Sequence, residues 1–423
     1  MKRAFLAVLL AAACGPAHAA TVYIRAGQLL DTLDGRLRAD QVIVVEGERI
    51  TQVAPSRDVE IPAGAQVIDL SAHTVLPGLI DMHTHLTGDH RFHGYESLGI
   101  SVPREALYGV LNAKKTLLAG FTSVRNVGAG GYSDVALRDA IAAGEIDGPR
   151  MRASGPALGI TGGHCDNNLL PPEYGDKGAG VADGPWAVRT KVREIIKGGA
   201  DVIKFCATGG VLSKGDSVGG QQYTLEEMRA LVEEAHQHGR KVAAHAHGTE
   251  GIKAAILAGV DSIEHSSLID AEGIRLAKQH GTFLVMDIYN HSFIMEHGAS
   301  VGMLPESLEK ERQVGQAQRD NFRKAFTGGA RMAFGSDSGV YPHGDNGRQF
   351  AVMVEYGMTP LQAIQAATIH AAELIGWPED VGAIAAGRYA DIIAVTGNPL
   401  ENVRLLENVS FVMKGGKVYK SDL

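Results

Sequence analysis

The feature that most limits how this chain can fold is an alternation of short apolar runs with helical stretches through its middle. Eight runs read as strands: 74–82, 121–127, 149–154, 201–206, 241–245, 260–265, 282–287 and 331–336. Helical stretches separate and follow them, at 104–119, 133–143, 185–198, 224–238, 250–258, 271–280, 305–327 and 360–375. Several carry start signals. Thr224-Leu225-Glu226-Glu227 reads as a capping box, and Pro360 follows Thr359 as the first helical residue. Eight such β/α units predict an α/β protein of the TIM (β/α)8 class over 74–384. A doubly wound open sheet is the alternative.

The two ends read differently. Val42–Val45 and Arg49–Val53 form a predicted hairpin. Near the other end, Asp391–Val395 is a predicted strand. Val409–Met413 and Lys417–Tyr419 make a second hairpin around Gly415-Gly416. Neither end has enough apolar surface to stand alone, so 20–73 and 385–423 are expected to build one small β-sandwich domain together. Residues 1–19 read as a secretory signal peptide: Lys2 and Arg3, an apolar run from Ala4 to Ala13, and the cleavage site Ala17-His18-Ala19. The run is too short to span a bilayer. Cys14 follows three alanines and makes a poor lipidation signal. The expectation is a secreted or periplasmic protein with no membrane span. Cys165 and Cys206 then remain, too few for a disulfide framework, and are expected as free buried thiols. The net charge of −8, with no basic cluster, argues against a nucleic-acid partner.

TIM barrels place their chemistry at the C-terminal ends of the strands. The first strand ends in His83-Thr84-His85, and alternate strand residues share a face, so both imidazoles project together. Neutral imidazole is a common ligand for zinc and similar ions. The fourth strand carries Lys204, the fifth His245 with His247 close behind, and the sixth His265. The eighth leads into Asp337, within Phe-Gly-Ser-Asp-Ser-Gly. Any one of these could be an ordinary core or edge residue. Five of eight strand ends bearing such groups point instead to a site.

At these residues the chain resembles the amidohydrolase superfamily. The likeness is carried by Val-Leu-Pro-Gly-Leu-Ile-Asp-Met-His-Thr-His, Ile-Lys-Phe-Cys-Ala-Thr-Gly-Gly, Ala-Ala-His-Ala-His-Gly, Ser-Ile-Glu-His and Gly-Ser-Asp-Ser-Gly. The stretch from Ala386 to Pro399 adds to it. Within the superfamily the chain is most similar to the imidazolonepropionase-like dipeptidases and carboxypeptidases, including ochratoxin-hydrolysing members. The resemblance implies a centre of two divalent metal ions, usually zinc. One ion takes His83, His85 and Asp337; the other takes His245 and His265, with His247 the alternative to His245. A carboxylated Lys204 bridges both, and Asp337 doubles as catalytic base. It also implies a homo-oligomer, an octamer being one form.

For the substrate, the resemblance suggests His164 as a contact. Tyr223, Tyr289, His291 and Arg348 are further candidates, and Leu158, Val211, Leu212, Phe293 and Ile294 would favour an apolar side chain. The glycine-rich stretch 207–222 is expected as a mobile lid. The function so implied is hydrolysis of dipeptides or N-acyl amino acids with a free carboxylate, ochratoxin A among them. Alternatives are a cyclic-amide hydrolase of the imidazolonepropionase type, an isomerase on the same scaffold, or a non-catalytic barrel serving as a binding module.

Overall fold

At Gly78 the chain leaves one sheet and enters another. A side chain there would meet Thr122 Oγ1 at 2.1 Å, so only glycine lets the two layers approach so closely. The computed structural model describes residues 21–423; the expected signal peptide, 1–19, lies outside them. In chain order the strands are β1 (Thr21–Asp31), β2 (Arg36–Glu46), β3 (Arg49–Pro55), β4 (Gln66–Pro77), β5 (Leu79–Thr84), β6 (Phe121–Asn126), β7 (Arg150–Ala153), β8 (Val202–Cys206), β9 (Lys241–Ala246), β10 (Ser262–His265), β11 (Phe283–Val285), β12 (Ile392–Val395), β13 (Phe411–Lys414) and β14 (Lys417–Ser421). The helices are α1 (Val102–Leu118), α2 (Ser133–Ala142), α3 (Pro185–Lys197), α4 (Leu225–Gln237), α5 (Thr249–Ala258), α6 (Ala271–His280), α7 (Asn290–His297), α8 (Pro305–Thr327), α9 (Arg348–Glu355), α10 (Pro360–Ala366) and α11 (Ile369–Ile375).

Seven strands from both ends of the chain form one sheet, ordered β14-β13-β12-β4-β1-β2-β3. The join between the ends is β12 running antiparallel to β4, with Ile393 opposite Leu76. Val22, Ile43, Ile50, Val75, Ile392 and Phe411 pack in one buried cluster, although they come from six strands. They can meet only if the sheet curls over its own face. The expected sandwich is therefore a single continuous sheet. The first predicted strand, 74–82, spans two elements, because Thr74–Pro77 pairs within this sheet and only Leu79–Thr84 enters the next layer.

Two parallel sheets, β5-β6-β7 and β11-β10-β9-β8, make up the second layer, with helices in the connections. Isolated pairings link them: Leu158 with Phe205 on one side, and Met332 with Leu284 and Ser338 with Thr84 on the other. This α/β content fits a TIM barrel carrying a sheet domain. The eighth predicted run, 331–336, is not a regular strand. Backbone bonds still tie it to β5, Met82 N–H to Phe334 O at 2.9 Å and Asp337 N–H to His83 O at 2.7 Å. The buried carboxylate of Asp81 adds to them: its Oδ1 accepts the amides of His83 (3.1 Å) and Ser336 (3.0 Å), and its Oδ2 accepts Asn346 Nδ2 at 2.8 Å. The predicted helix 360–375 also divides, at Ala367 and Thr368, into α10 and α11. Its start behaves as a capping box, as does that of α4. Beneath the site, Phe121, Phe334 and Phe350 pack ring against ring, with Phe334 and Phe350 centroids 4.6 Å apart. Truncating one such ring to alanine costs about 3–5 kcal/mol.

The expectation of free thiols is overturned: Cys165 and Cys206 form a disulfide with Cα atoms 5.9 Å apart. Sequence spacing alone, 41 residues, carried no sign that the loop after β7 folds back onto the end of β8.

If Asp81 joins β5 to 331–338, Asp81→Asn sets one NH2 group against that of Asn346. Thermal unfolding should then report a loss of about 1–3 kcal/mol, the cost of an unsatisfied buried donor. An unchanged Tm would show that the join does not depend on the carboxylate.

Candidate active site

The side chains singled out at the strand ends meet at one end of the parallel layer. His83 Nε2 and His85 Nε2 lie 3.2 and 3.1 Å from the same oxygen, Asp337 Oδ1. The His83 and His265 ring centroids are 4.9 Å apart, and His245 and His265 are 4.5 Å apart. His247 also belongs to this group, 4.7 Å from both His245 and His265. Lys204 lines the same cavity. Its pKa is pulled down to about 8 by burial. Burial pushes the His245 and His247 imidazoles well below their usual range, which favours the neutral, ligating form. Burial alone would raise Asp337, but the neighbouring His83 and His85 outweigh it and hold the carboxyl well below the ordinary range.

Two donor sets could each hold a divalent ion: His245, His247 and His265, and His83, His265 and Asp337, each with its ligand atoms within 4.8 Å of one another. The spacing suits zinc. Ligands about 2.0–2.1 Å from a tetrahedral ion are roughly 3.3 Å from each other, close to the His83–Asp337 and His85–Asp337 separations. Asn290 Oδ1 and His164 Nδ1 are buried without a hydrogen-bond partner. His265, Ser266 and Asp337 all have left-handed backbones, with φ of 69°, 52° and 57°. Such strain in residues other than glycine collects at functional sites.

Outside the donor sets stand residues that the sequence reading missed. Asp287 Oδ1 holds His265 Nδ1 at 2.8 Å and accepts Gln318 Nε2 at 3.0 Å. Asn290 Nδ2 donates to both Asp287 Oδ2 (2.5 Å) and Asp337 Oδ2 (3.0 Å). A carboxylate behind a ligating imidazole fixes its tautomer and orientation. Glu264 Oε2 lies 3.1 Å from His83 Nδ1, not aligned as a hydrogen bond, while its Oε1 accepts Arg125 Nη2 at 2.7 Å. Asp287 sits at the end of the seventh apolar run, so the strand-end criterion could have found it. Glu264 and Arg125 were visible as charges inside apolar runs. Asn290 carried no signal.

The cavity measures about 880 Å³. The His164 ring stacks on that of His245, centroids 4.1 Å apart. Other expected contacts lie elsewhere. Tyr223 is buried and spends its hydroxyl on Ala182 O at 3.0 Å. His291 Nδ1 pairs with Glu311 Oε1 at 2.8 Å, and Arg348 with Asp345 at 3.1 Å; neither lines the cavity. Tyr289, packed edge-on against Tyr341, does not line it either. Val211, Leu212 and Ile294 line it, whereas Leu158 and Phe293 are drawn into the core. The stretch expected as a mobile lid is pinned: Lys310 Nζ bonds Gly210 O, Ser213 O and Asp216 Oδ1.

Residues 74–419 match the amidohydrolase family. The chain belongs to that family. It is 35% identical to an ochratoxinase of Aspergillus niger, over 95% of this chain and 87% of the relative. A crystal structure of a Xaa-Pro dipeptidase with methionine in its active site matches with TM-score 0.88 at 39% identity, covering 95% of this chain and 100% of that one. The structure of the A. niger ochratoxinase matches with TM-score 0.83 at 32% identity, covering 96% of each chain. An imidazolonepropionase of Chromobacterium violaceum is 26% identical over 89% of this chain and 87% of its own. This amidohydrolase is a hydrolytic enzyme acting on amide bonds, in a metal-dependent family whose donor groups it has.

Asp287→Asn should weaken metal retention about 10–100-fold, the usual effect of losing a partner behind a ligand. Metal content after dialysis against a graded chelator would measure this; unchanged retention would remove Asp287 from the site.

Proposed function

We propose that this enzyme uses two divalent ions, zinc the favoured pair, to release the C-terminal amino acid from dipeptides and N-acyl amino acids. N-acyl-phenylalanines, ochratoxin A among them, are the substrate class we favour. The observation that carries the reading is the convergence of His83, His85, His245, His265 and Asp337 in one cavity with an apolar wall. We read the isolated pairings around the parallel strands as closing an eight-membered ring that holds these groups in register.

His83, His85 and Asp337 would hold one ion, and His245 and His265 the other, with His247 beside them. Lys204, as its carbamate, would bridge the two, since an ammonium cannot ligate a cation but an anionic oxygen pair can. Ions bound there supply a Lewis acid for the scissile carbonyl and a water acidified toward neutral pH. Asp337 acts as the proton carrier, taking a proton from the attacking water and passing it to the leaving nitrogen. Asn290 orients it through Oδ2, and Asp287 holds His265 behind the reacting face. The substrate carboxylate would meet His164 and Lys214, whose ammonium donates to Tyr95 Oη at 2.7 Å on the cavity rim. Val211, Leu212, Ile294, Val314 and Val340 offer the C-terminal side chain an apolar surface.

The disulfide supports a secreted or periplasmic location, because such bonds persist in oxidising compartments. Thiol titration of unfolded enzyme taken from the periplasm or medium should find no free cysteine; two free thiols would argue for a reducing compartment. Among the described residues no helix is long and apolar enough to cross a membrane. Exposed Leu107 and Leu111, one turn apart on α1, offer an apolar strip to a second copy, in keeping with a homo-oligomer.

Chelation should abolish turnover and zinc restore it. Asp337→Asn should cost about 10²–10⁴-fold in kcat, since it keeps the shape and loses the base; activity within tenfold of wild type would remove Asp337 from that role. Lys204→Ala should lose metal and activity together, with partial rescue by a short carboxylic acid.

Esterifying or amidating the substrate carboxylate should lower kcat/KM by about tenfold or more, on the order of the 1–3 kcal/mol of a charged hydrogen bond. Equal rates on acid and amide would redirect the reading toward cyclic amides.

A further inference from the structure

His164 reaches the cavity from an irregular loop, yet its ring lies flat on that of His245. Something outside its own loop must hold it. One tie is covalent, the bond from its neighbour Cys165 to Cys206. The other is a polar relay that begins on a helix. Lys310, on α8, is buried, and its ammonium makes three bonds: Gly210 O at 3.1 Å, Ser213 O at 2.8 Å and Asp216 Oδ1 at 2.7 Å. Asp216 Oδ2 accepts Gln222 Nε2 at 3.1 Å, and Gln222 Oε1 accepts the backbone N–H of His164 at 3.0 Å. The same clamp sets Gly210 directly against the His164 imidazole, where a side chain on Gly210 would meet Cε1 at 2.2 Å.

We propose that Lys310 is a positioning residue for the reaction: through Asp216 and Gln222 it sets the height and tilt of His164 above the reacting centre. It does so without touching the centre itself, since Lys310 is not among the residues lining the cavity. All three of its N–H donors have acceptors. A side chain so fully committed, on a long helix of the scaffold, is a rigid reference for two otherwise irregular loops. The same ammonium also ties three residues of the glycine-rich stretch 207–222 to α8. The functional half of this proposal rests on His164 contacting the substrate.

The experiment uses the metal-loaded full-length enzyme and three single variants: Lys310→Met, Gln222→Met and His164→Ala. Gln222→Met removes the bonds to Asp216 and to the His164 amide but leaves the Lys310–Asp216 ion pair in place, so it carries the test if Lys310→Met does not fold. Hydrogen–deuterium exchange should show faster exchange at 160–168 in Lys310→Met and Gln222→Met, and faster exchange at 207–222 in Lys310→Met. With N-acetyl-phenylalanine as probe, each should raise KM about tenfold with kcat changed less than threefold and metal content unchanged. In a His164→Ala background, adding Lys310→Met should cost less than threefold more, because the residues act through one another. Unchanged exchange at 160–168 would overturn the relay. A full tenfold further loss in the His164→Ala background would overturn action through His164. If wild type fails to cleave the probe, the substrate reading fails by itself, and the exchange result still decides the positioning claim.

Discussion

One buried carboxylate, that of Asp81, joins the two segments that carry half of the donor groups. It accepts amides from His83 in the first inner strand and from Ser336 in the last inner segment, and a third hydrogen bond from Asn346. Burial pushes its pKa up to about 6, and those donors pull against that rise. Backbone bonds join the same segments, Met82 N–H to Phe334 O at 2.9 Å, Asp337 N–H to His83 O at 2.7 Å and His85 N–H to Ser338 O at 2.9 Å. The Asp81 acceptor adds to them, and next to it the chain turns at Asp337, which has a positive φ and whose carboxylate lies against His83 and His85. Asp81 itself does not line the cavity, so it acts on the site only through these neighbours.

Around that join the interior is crowded with charge, and much of it is paired. Arg125 crosses from β6 to meet Glu264 and Ser262 on β10 and the carbonyl of Met82 on β5. Asp287 serves His265, and Asn290 spans the two acids. Unpaired, any of these groups would cost several kcal/mol. Paired, they form a stiff polar floor, which pre-organised chemistry requires. Among the buried atoms left without partners, Asn290 Oδ1 and His164 Nδ1 belong to residues that line the cavity.

The wall facing this floor is built from loops, and their order comes from the scaffold. A disulfide ties the loop after β7 to the end of β8, and α8 clamps the loop after β8. Glycine content suggested motion there. Composition does not show which acceptors of the loop find donors, and here Lys310 supplies donors to Gly210, Ser213 and Asp216.

By itself the sequence determined the period of the inner layer and the identity of its strand-end groups. Alternating apolar runs and helical stretches report local periodicity, and side-chain direction in a strand follows from that periodicity. His83, His85, His245, His265 and Asp337 could be singled out because each stands at or just beyond the end of such a run, and Lys204 because it is a charge inside one. The capping box at Thr224 was legible because it is completed within four residues, whereas at Thr359 only the proline start was legible and the box came from the structure. Tertiary structure alone decided the rest. Tyr223 and His291 turned away because nearer partners, Ala182 O and Glu311, satisfied them. The bond between Cys165 and Cys206, the split of 74–82 between two sheets, and the relay from Lys310 to His164 all join residues remote in sequence. Contacts of that kind leave no periodic trace, because the free energy that selects them exists only once the chain has folded around them.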